Sequence, residues 1–300
     1  MIKRLDEMVD LVQATGKKYR IAVAWAQDAN TIGALKQAYD LGFADPIMIG
    51  VPHEIKEAAQ STRVDITGFK IVEVKNDSEA CTKAVELARS GDADVVMKGL
   101  VGTDKLLKAV MDKDKGLLPP KAVMTYVCAL EMPSYHKLLF MTDPAVIPFP
   151  DLDQKVAMAN YAIEMANKFG IENPKVALVG ASEKVSHHFE NSIEYSVMCK
   201  MAERGQIKRC VMDGPLDLFL ACDPKSVEIK GVHTPVNGDA DILLFPNLES
   251  SNPFYKSLML FGGAELAGMI CGPSKPVVVM SRSDTEMTKF YCITLSCLMA

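Results

Sequence analysis

Short apolar runs alternate along the chain with longer stretches in which apolar positions recur at helical spacing. The runs at 20–26 (RIAVAWA), 46–50 (PIMIG), 69–74 (FKIVEV) and 94–98 (DVVMK) are too short for helices and rich in β-branched residues, so they read as strands. Helices are predicted between and after them, over 30–42, 53–60, 77–89 and 103–113. Strict strand–helix alternation predicts parallel pairing with helical crossovers.

The middle of the chain breaks this rhythm. Strand-like runs at 121–132 and 137–141 are separated by Pro133, Ser134 and Tyr135, which predicts an antiparallel hairpin. The following 143–153 holds Pro144, Pro148 and Pro150 with no helical period, and is the expected crossing between domains. Alternation then resumes: helix 152–169, strand 175–180, helix 189–204, strand 208–212, strand 241–245, helix 252–271, strand 276–280, and a last helix from 285. Small residues within 261–268 (FGGAELAG) are read as close helix packing, with a surface for coenzyme A as the sharper alternative. The fold class predicted is α/β, as two α/β/α lobes with mainly parallel sheets.

Composition narrows the function. With 300 residues, 49% hydrophobic and 24% charged, the chain can build two packed cores and is not disordered. Its net charge of −5 leaves no basic excess for nucleic acid, so an anion site must be built locally. The first ten residues lack the apolar run of a signal peptide, and no stretch approaches a membrane span, so a cytoplasmic protein without membrane contact is expected. The eight cysteines form no CxxC and sit mostly in apolar runs, as buried thiols would. His187-His188 diverge in direction on a helix, and no HExxH is present, so no metal site is expected.

Ligands of open α/β sheets gather beyond the carboxyl ends of strands. Five such places carry glycine or polar side chains: 98–103 (KGLVGT), 142–144 (TDP), 213–215 (DGP), 246–249 (PNLE) and 281–284 (SRSD). The last is the sharpest. Ser281 and Arg282 follow an uninterrupted apolar strand, and Ser283 with Glu286 has capping-box spacing, which starts a helix at 284 or 285. A hydroxyl, a guanidinium and the free N–H groups of a helix start make a compact phosphate receptor. Lys98, with Gly99, Gly102 and Thr103, is a second strand-to-helix junction. It is not a P-loop, and no GxGxxG follows any strand.

Taken together and in this order, six stretches resemble the phosphate acetyl/butyryltransferase family on its butyryl-type side, over nearly the whole chain. They are 93–101 (ADVVMKGLV), 138–143 (LLFMTD), 213–216 (DGPL), 240–249 (ADILLFPNLE), 255–258 (YKSL) and 276–282 (PVVVMSR). The resemblance implies a two-domain, isocitrate dehydrogenase-like fold with the active site in the interdomain cleft. The first lobe is expected to comprise 1–143 plus 283–300, and the second, dimerising lobe 144–282. It implies a homodimer or larger homo-oligomer and a place in butyrate metabolism. The implied reaction interconverts a short-chain acyl-CoA, butyryl preferred, plus phosphate with acyl phosphate plus CoA. Coenzyme A and phosphate are then substrates, with no tightly bound cofactor and no metal.

By the same resemblance Ser281 and Arg282 lie at the reacting phosphate. Arg282 and helix-start N–H groups would stabilise the oxyanion of a tetrahedral species. Contacts to substrate are expected from Lys98, Gly99, Thr103, Thr125, Thr142, Asp143, Asn247, Glu249, Tyr255 and Lys256. A base must form the CoA thiolate, since a free thiol is mostly protonated at neutral pH. Acetyl-specific relatives carry a carboxylate where this chain has Thr288. Asp284, matching the butyryl-type Ser-Arg-x-Asp, is the first candidate base, with Glu249 and Asp143 as alternatives. At Thr125-Tyr126-Val127 butyryl-type members read closer to Ser-His-Val. The alternatives are an acetyl-specific enzyme and a lapsed relative that only binds CoA or phosphate. An oxidative decarboxylase on the same fold is disfavoured, because no Asp-x-x-x-Asp pair accompanies the Ser-Arg loop.

Overall fold

The computed structural model describes residues 2–281 and 284–300. The first half of the chain contains α1 (Glu7–Ala14), β1 (Tyr19–Ala24), α2 (Ala29–Asp40), β2 (Ala44–Gly50), α3 (Pro52–Ser61) and β3 (Lys70–Glu73), then α4 (Asp77–Ser90), β4 (Val95–Lys98) and α5 (Thr103–Val110). There follow β5 (Thr125–Glu131), β6 (Leu139–Thr142), α6 (Leu152–Lys168), β7 (Lys175–Val179), α7 (Glu190–Glu203), β8 (Val211–Leu216), α8 (Leu218–Cys222), α9 (Pro224–Lys230) and β9 (Ile242–Leu244). The chain ends with α10 (Leu248–Phe261), β10 (Glu265–Cys271), β11 (Val277–Val278) and α11 (Glu286–Met299).

The chain divides into two compact units. One is Leu5–Met124 with Ala267–Ala300, and the other is Thr125–Leu266 with the N-terminal residues up to Arg4. The cuts therefore fall before β5 and within β10, rather than at the expected 143/144 and 282/283. Hairpin β5–β6 belongs with the strands it feeds. The proline-bearing 143–153 lies inside the second unit.

In the first unit the strand order is β3-β2-β1-β4-β11-β10. All pairs are parallel except β10 with β11, which is antiparallel. β1 and β4 are buried along nearly their full length, as expected of strands covered on both faces. α2 starts where Asp28 accepts the Thr31 N–H, and α11 packs against α2.

In the second unit the order is β5-β6-β9-β7-β8, antiparallel only at β5–β6. α6 opens with a complete capping box, Asp151 accepting the Gln154 N–H while the Gln154 side chain accepts the Asp151 N–H.

Three expectations need correction. The helix read over 252–271 is two elements: α10 begins earlier, with Asn247 as its cap, and ends before Gly263, whose φ of 62° suits glycine. The apolar ELAGMIC that follows is a buried strand, β10. Residues 213–215 are not a loop after a strand, because β8 runs on through them. A register irregularity opposite Ala177 and Val179 of β7 accommodates the Gly-Pro step. The last helix is capped by Thr285, which accepts the Thr288 N–H, so it starts later than 284. Ser283, the expected cap, lies outside the described residues.

Candidate active site

The sharpest grouping of predicted residues lies in the first unit. β1, β4 and β11 are adjacent and parallel, so the loops beyond their carboxyl ends converge. There Lys98, Gly99 and Ser281 line one narrow recess with Asp28, Thr31 and Lys289. Lys98 is 6% exposed, and its Nζ donates to the carbonyls of Gly99 and Val101, each at 3.2 Å. Gly99 is bound down to β1, its N–H donating to Ala24 O at 2.9 Å. Ser281 is exposed at the rim, and its N–H donates to Asp284 Oδ2 at 2.8 Å.

The charges here are set by their surroundings. Burial pushes the Asp284 carboxyl above its ordinary range, opposed by the Ser281 N–H and by Lys289 and Lys98. Burial would also raise Asp28, but the hydrogen bonds from Lys289 and Thr31 outweigh it and hold that carboxyl low. Asp28, which lines the recess, is thus shifted down, while Asp284, bonded to Ser281 at its rim, is shifted up.

The remaining predicted residues of this unit are placed less centrally. Thr103 is exposed at the start of α5 and does not line the recess. Thr288 is buried, its N–H bonded to Thr285. Arg282, the expected oxyanion partner, lies outside the described residues.

In the second unit Thr125, Thr142 and Asp143 do come together, but as an internal network. Thr125 and Thr142 have no exposure and Asp143 only 2%. Asp143 Oδ2 accepts from Thr125 Oγ1 at 2.7 Å and from the N–H groups of Tyr126 and Ile147, and its Oδ1 accepts those of Ala145 and Val146. Thr142 Oγ1 donates to Tyr126 O at 3.0 Å. These side chains organise the turn after β6. Burial raises the Asp143 carboxyl, but five donors already occupy it, which leaves no lone pair aimed outward for a base.

Asn247 caps α10 through the Ser250 N–H, and Glu249 and Lys256 are exposed on that helix near Tyr255. Next to them, beyond β7, β8 and β9, is an apolar cavity of about 540 Å³ lined by Phe189, Tyr195, Phe219, Phe245 and Phe254 among others. None of those four predicted residues lines it.

Among the described residues no group of His, Cys, Asp and Glu is arranged to hold a metal ion. All eight cysteines are free thiols. Burial pushes Cys81, Cys210 and Cys222 up to about 11 and Cys199 to about 12, so these stay protonated at neutral pH.

Sequence reading missed Asp28, Thr31 and Lys289. Asp28 and Thr31 follow an apolar strand with cap spacing. Lys289 is a lone cation in the apolar helix α11. Those signals are visible, but nothing in the sequence brings the two segments together.

Comparison with known proteins gives the family. The model of the family described as "Phosphate acetyl/butaryl transferase" matches residues 5–83 and 76–297. The phosphate butyryltransferase of Clostridium acetobutylicum is 40% identical over 300 residues, covering 100% of this chain and 99% of the relative. The phosphate acetyltransferase of Thermotoga maritima is 36% identical, covering 99% of each. Among solved structures, a branched-chain phosphotransacylase from Enterococcus faecalis superposes with a TM-score of 0.81 at 27% identity, covering 93% of this chain and 98% of that one. The fold, the converging strand-end loops and these matches agree, and the chain belongs to the phosphate acetyl/butyryl transferase family.

Proposed function

We propose that the chain transfers a short-chain acyl group, butyryl by preference, between coenzyme A and inorganic phosphate. The observation that carries this reading is the convergence of Lys98, Ser281 and Asp284 beyond β4 and β11, a local cation-and-donor site in a chain of net charge −5. Lys98 and Ser281 hold the phosphate. Phosphate oxygen attacks the thioester carbon, a C–O bond forms, the C–S bond breaks and CoA leaves as thiolate. In reverse, Asp284 takes the thiol proton and the thiolate attacks the acyl phosphate. Arg282 keeps the oxyanion role that the family resemblance gives it.

The protein acts in the cytoplasm as a homodimer. Support for self-association comes from Phe189, the residue preceding α7, and from Ile193 and Val197 on it, exposed apolar side chains at four-residue spacing. Among the described residues no helix is long and apolar enough to cross a membrane.

Arsenolysis of an acyl-CoA series from C2 to C5 tests the reading. CoA release peaking at butyryl is expected. A peak at acetyl would favour the acetyl-specific alternative, and no release with acetyl, propionyl or butyryl thioesters would remove the enzyme reading. A methylene or two in an apolar pocket changes selectivity by only ~1–3 kcal/mol, so neighbouring chain lengths should be used as well. Equilibrium sedimentation reads the dimer, and a monomer at micromolar concentration would count against it.

A further inference from the structure

The recess that holds Lys98 and Ser281 is lined by a second, deeper ammonium. Lys289 lies in the first turns of α11 and is 3% exposed. Its Nζ donates to Asp28 Oδ2 at 2.6 Å and to Thr31 Oγ1 at 3.3 Å. Asp28 Oδ2 also accepts the Thr31 N–H at 3.1 Å and the Thr31 hydroxyl. This carboxylate is therefore fixed by the start of α2 before Lys289 reaches it. An ammonium has three N–H donors. Two are taken by Asp28 and Thr31, and the third has no acceptor among the described residues. Burying a charge costs several kcal/mol unless its partners satisfy it, which makes an unused donor in a polar recess informative.

We infer that Lys289 is a second cation of the phosphate receptor, and that Asp28 and Thr31 are positioning residues that hold its ammonium at the recess. This rests on the proposed acyl transfer to phosphate and adds to it. A phosphate held at Lys98 and Ser281 would meet in Lys289 a further N–H donor on an ammonium whose charge is shared with Asp28. Asp28 anchors Lys289 at one end, so the cation is in place before the anion arrives. The raised carboxyl, Asp284, handles the proton, and Asp28 takes no part in it.

The test combines kinetics with binding. In butyryl-CoA phosphorolysis, Lys289→Met should raise the phosphate KM about tenfold or more, with the butyryl-CoA KM changed less than about threefold. Lys289→Arg keeps the charge and should recover most of the loss. Asp28→Asn and Thr31→Val should each raise the phosphate KM several-fold, and Asp28→Asn combined with Lys289→Met should be no worse than Lys289→Met alone. Thr31→Val is nearly isosteric and reads the same property if Lys289→Met fails to fold. A phosphate KM within twofold of wild type in the folded Lys289→Met protein, or in Thr31→Val where the former does not fold, overturns the inference. Calorimetric titration with inorganic phosphate separates this failure from that of the functional reading. If the wild type turns over acyl-CoA but its phosphate affinity survives Lys289→Met, only Lys289 is misassigned. If phosphate binds, depends on Lys289, and no acyl-CoA is consumed, the receptor stands and the acyl transfer fails.

Discussion

Ser281 and Asp284 clasp each other across the start of the last helix: the Ser281 N–H donates to Asp284 Oδ2 at 2.8 Å, and the Asp284 N–H donates to Ser281 O at 3.3 Å. The clasp keeps a partly buried carboxyl beside the hydroxyl that would meet phosphate. Burial raises that carboxyl, so it holds its proton to a higher pH than an ordinary carboxylate. As a base it works only above that point. The rate of CoA attack on acyl phosphate should therefore fall on the acid side, with a midpoint above the usual carboxylate range of ~4. Asp284→Asn should lower kcat by about 10²-fold or more and abolish this acid limb. A variant that keeps the limb would place the base elsewhere.

Gly99 gives the second prediction. A Cβ at this position would stand 2.3 Å from Trp25 O and 2.8 Å from Ala24 O, both backbone atoms that cannot move aside as a side chain can. Gly99→Ala must push the loop after β4 away from β1 and shift Lys98 with it. A loss of ~1–3 kcal/mol is expected, together with a higher phosphate KM. The chain has one tryptophan, Trp25, and the Leu100 N–H donates to its carbonyl at 2.7 Å. Its fluorescence should report the displaced loop directly. A substituted protein with wild-type melting, emission and phosphate KM would contradict the steric argument.

Thr125 tests whether the turn after β6 is scaffold or substrate contact. Its hydroxyl is fully buried and donates to a carboxylate, so Thr125→Val should cost about 1–3 kcal/mol. Because Asp143 and not a substrate receives that bond, the relative kcat/KM values across C2 to C5 acyl-CoA should stay within about twofold of wild type. A marked change in chain-length preference with unchanged melting would return Thr125 to the substrate.

The alternating apolar runs predicted most strands and their helical partners, because strands buried on both faces leave an unmistakable pattern. The hairpin at Pro133 to Tyr135 was equally plain, and β5 and β6 do pair antiparallel. What failed was local. ELAGMIC in β10 is apolar at nearly every position, and a run without polar interruption reads equally well as buried helix or buried strand. Lys98 ends β4, and Ser281 and Asp284 lie a few positions beyond β11, so their place near strand ends was legible. Lys289 was not, since its contact with Asp28 spans 261 positions of sequence and depends on α11 packing against α2. Asp143 shows the same limit from the other side. A carboxylate after a strand resembles a ligand group, and only the fold shows that five donors occupy it.

The last prediction concerns the other end of the second unit's sheet. Asp239 lies just before β9, with Lys137 Nζ at 2.8 Å, Lys175 Nζ at 2.9 Å and His136 Nε2 at 3.0 Å. Lys137 also reaches Asp241 at 2.7 Å, and Asp241 accepts the Lys175 N–H at 2.8 Å. The cluster ties together the amino ends of β6, β7 and β9, away from any strand-end site, so it should act on stability and not on turnover. Burial alone would raise the Asp239 carboxyl, but Lys137 and Lys175 outweigh it and bring it down to about 2. In the unfolded chain an aspartate titrates at ~3.9. The folded value is the lower one, so the stabilisation is fully present above roughly pH 4 and is lost as pH falls toward 2. Asp239→Asn should melt a few degrees below wild type at pH 7, roughly 2–4 °C for each kcal/mol lost. The gap should narrow between pH 4 and pH 2, and also in about 1 M salt, because the pairs are partly exposed. A gap that is the same at pH 2.5 and pH 7 would show that Asp239 acts through packing and not through its charge.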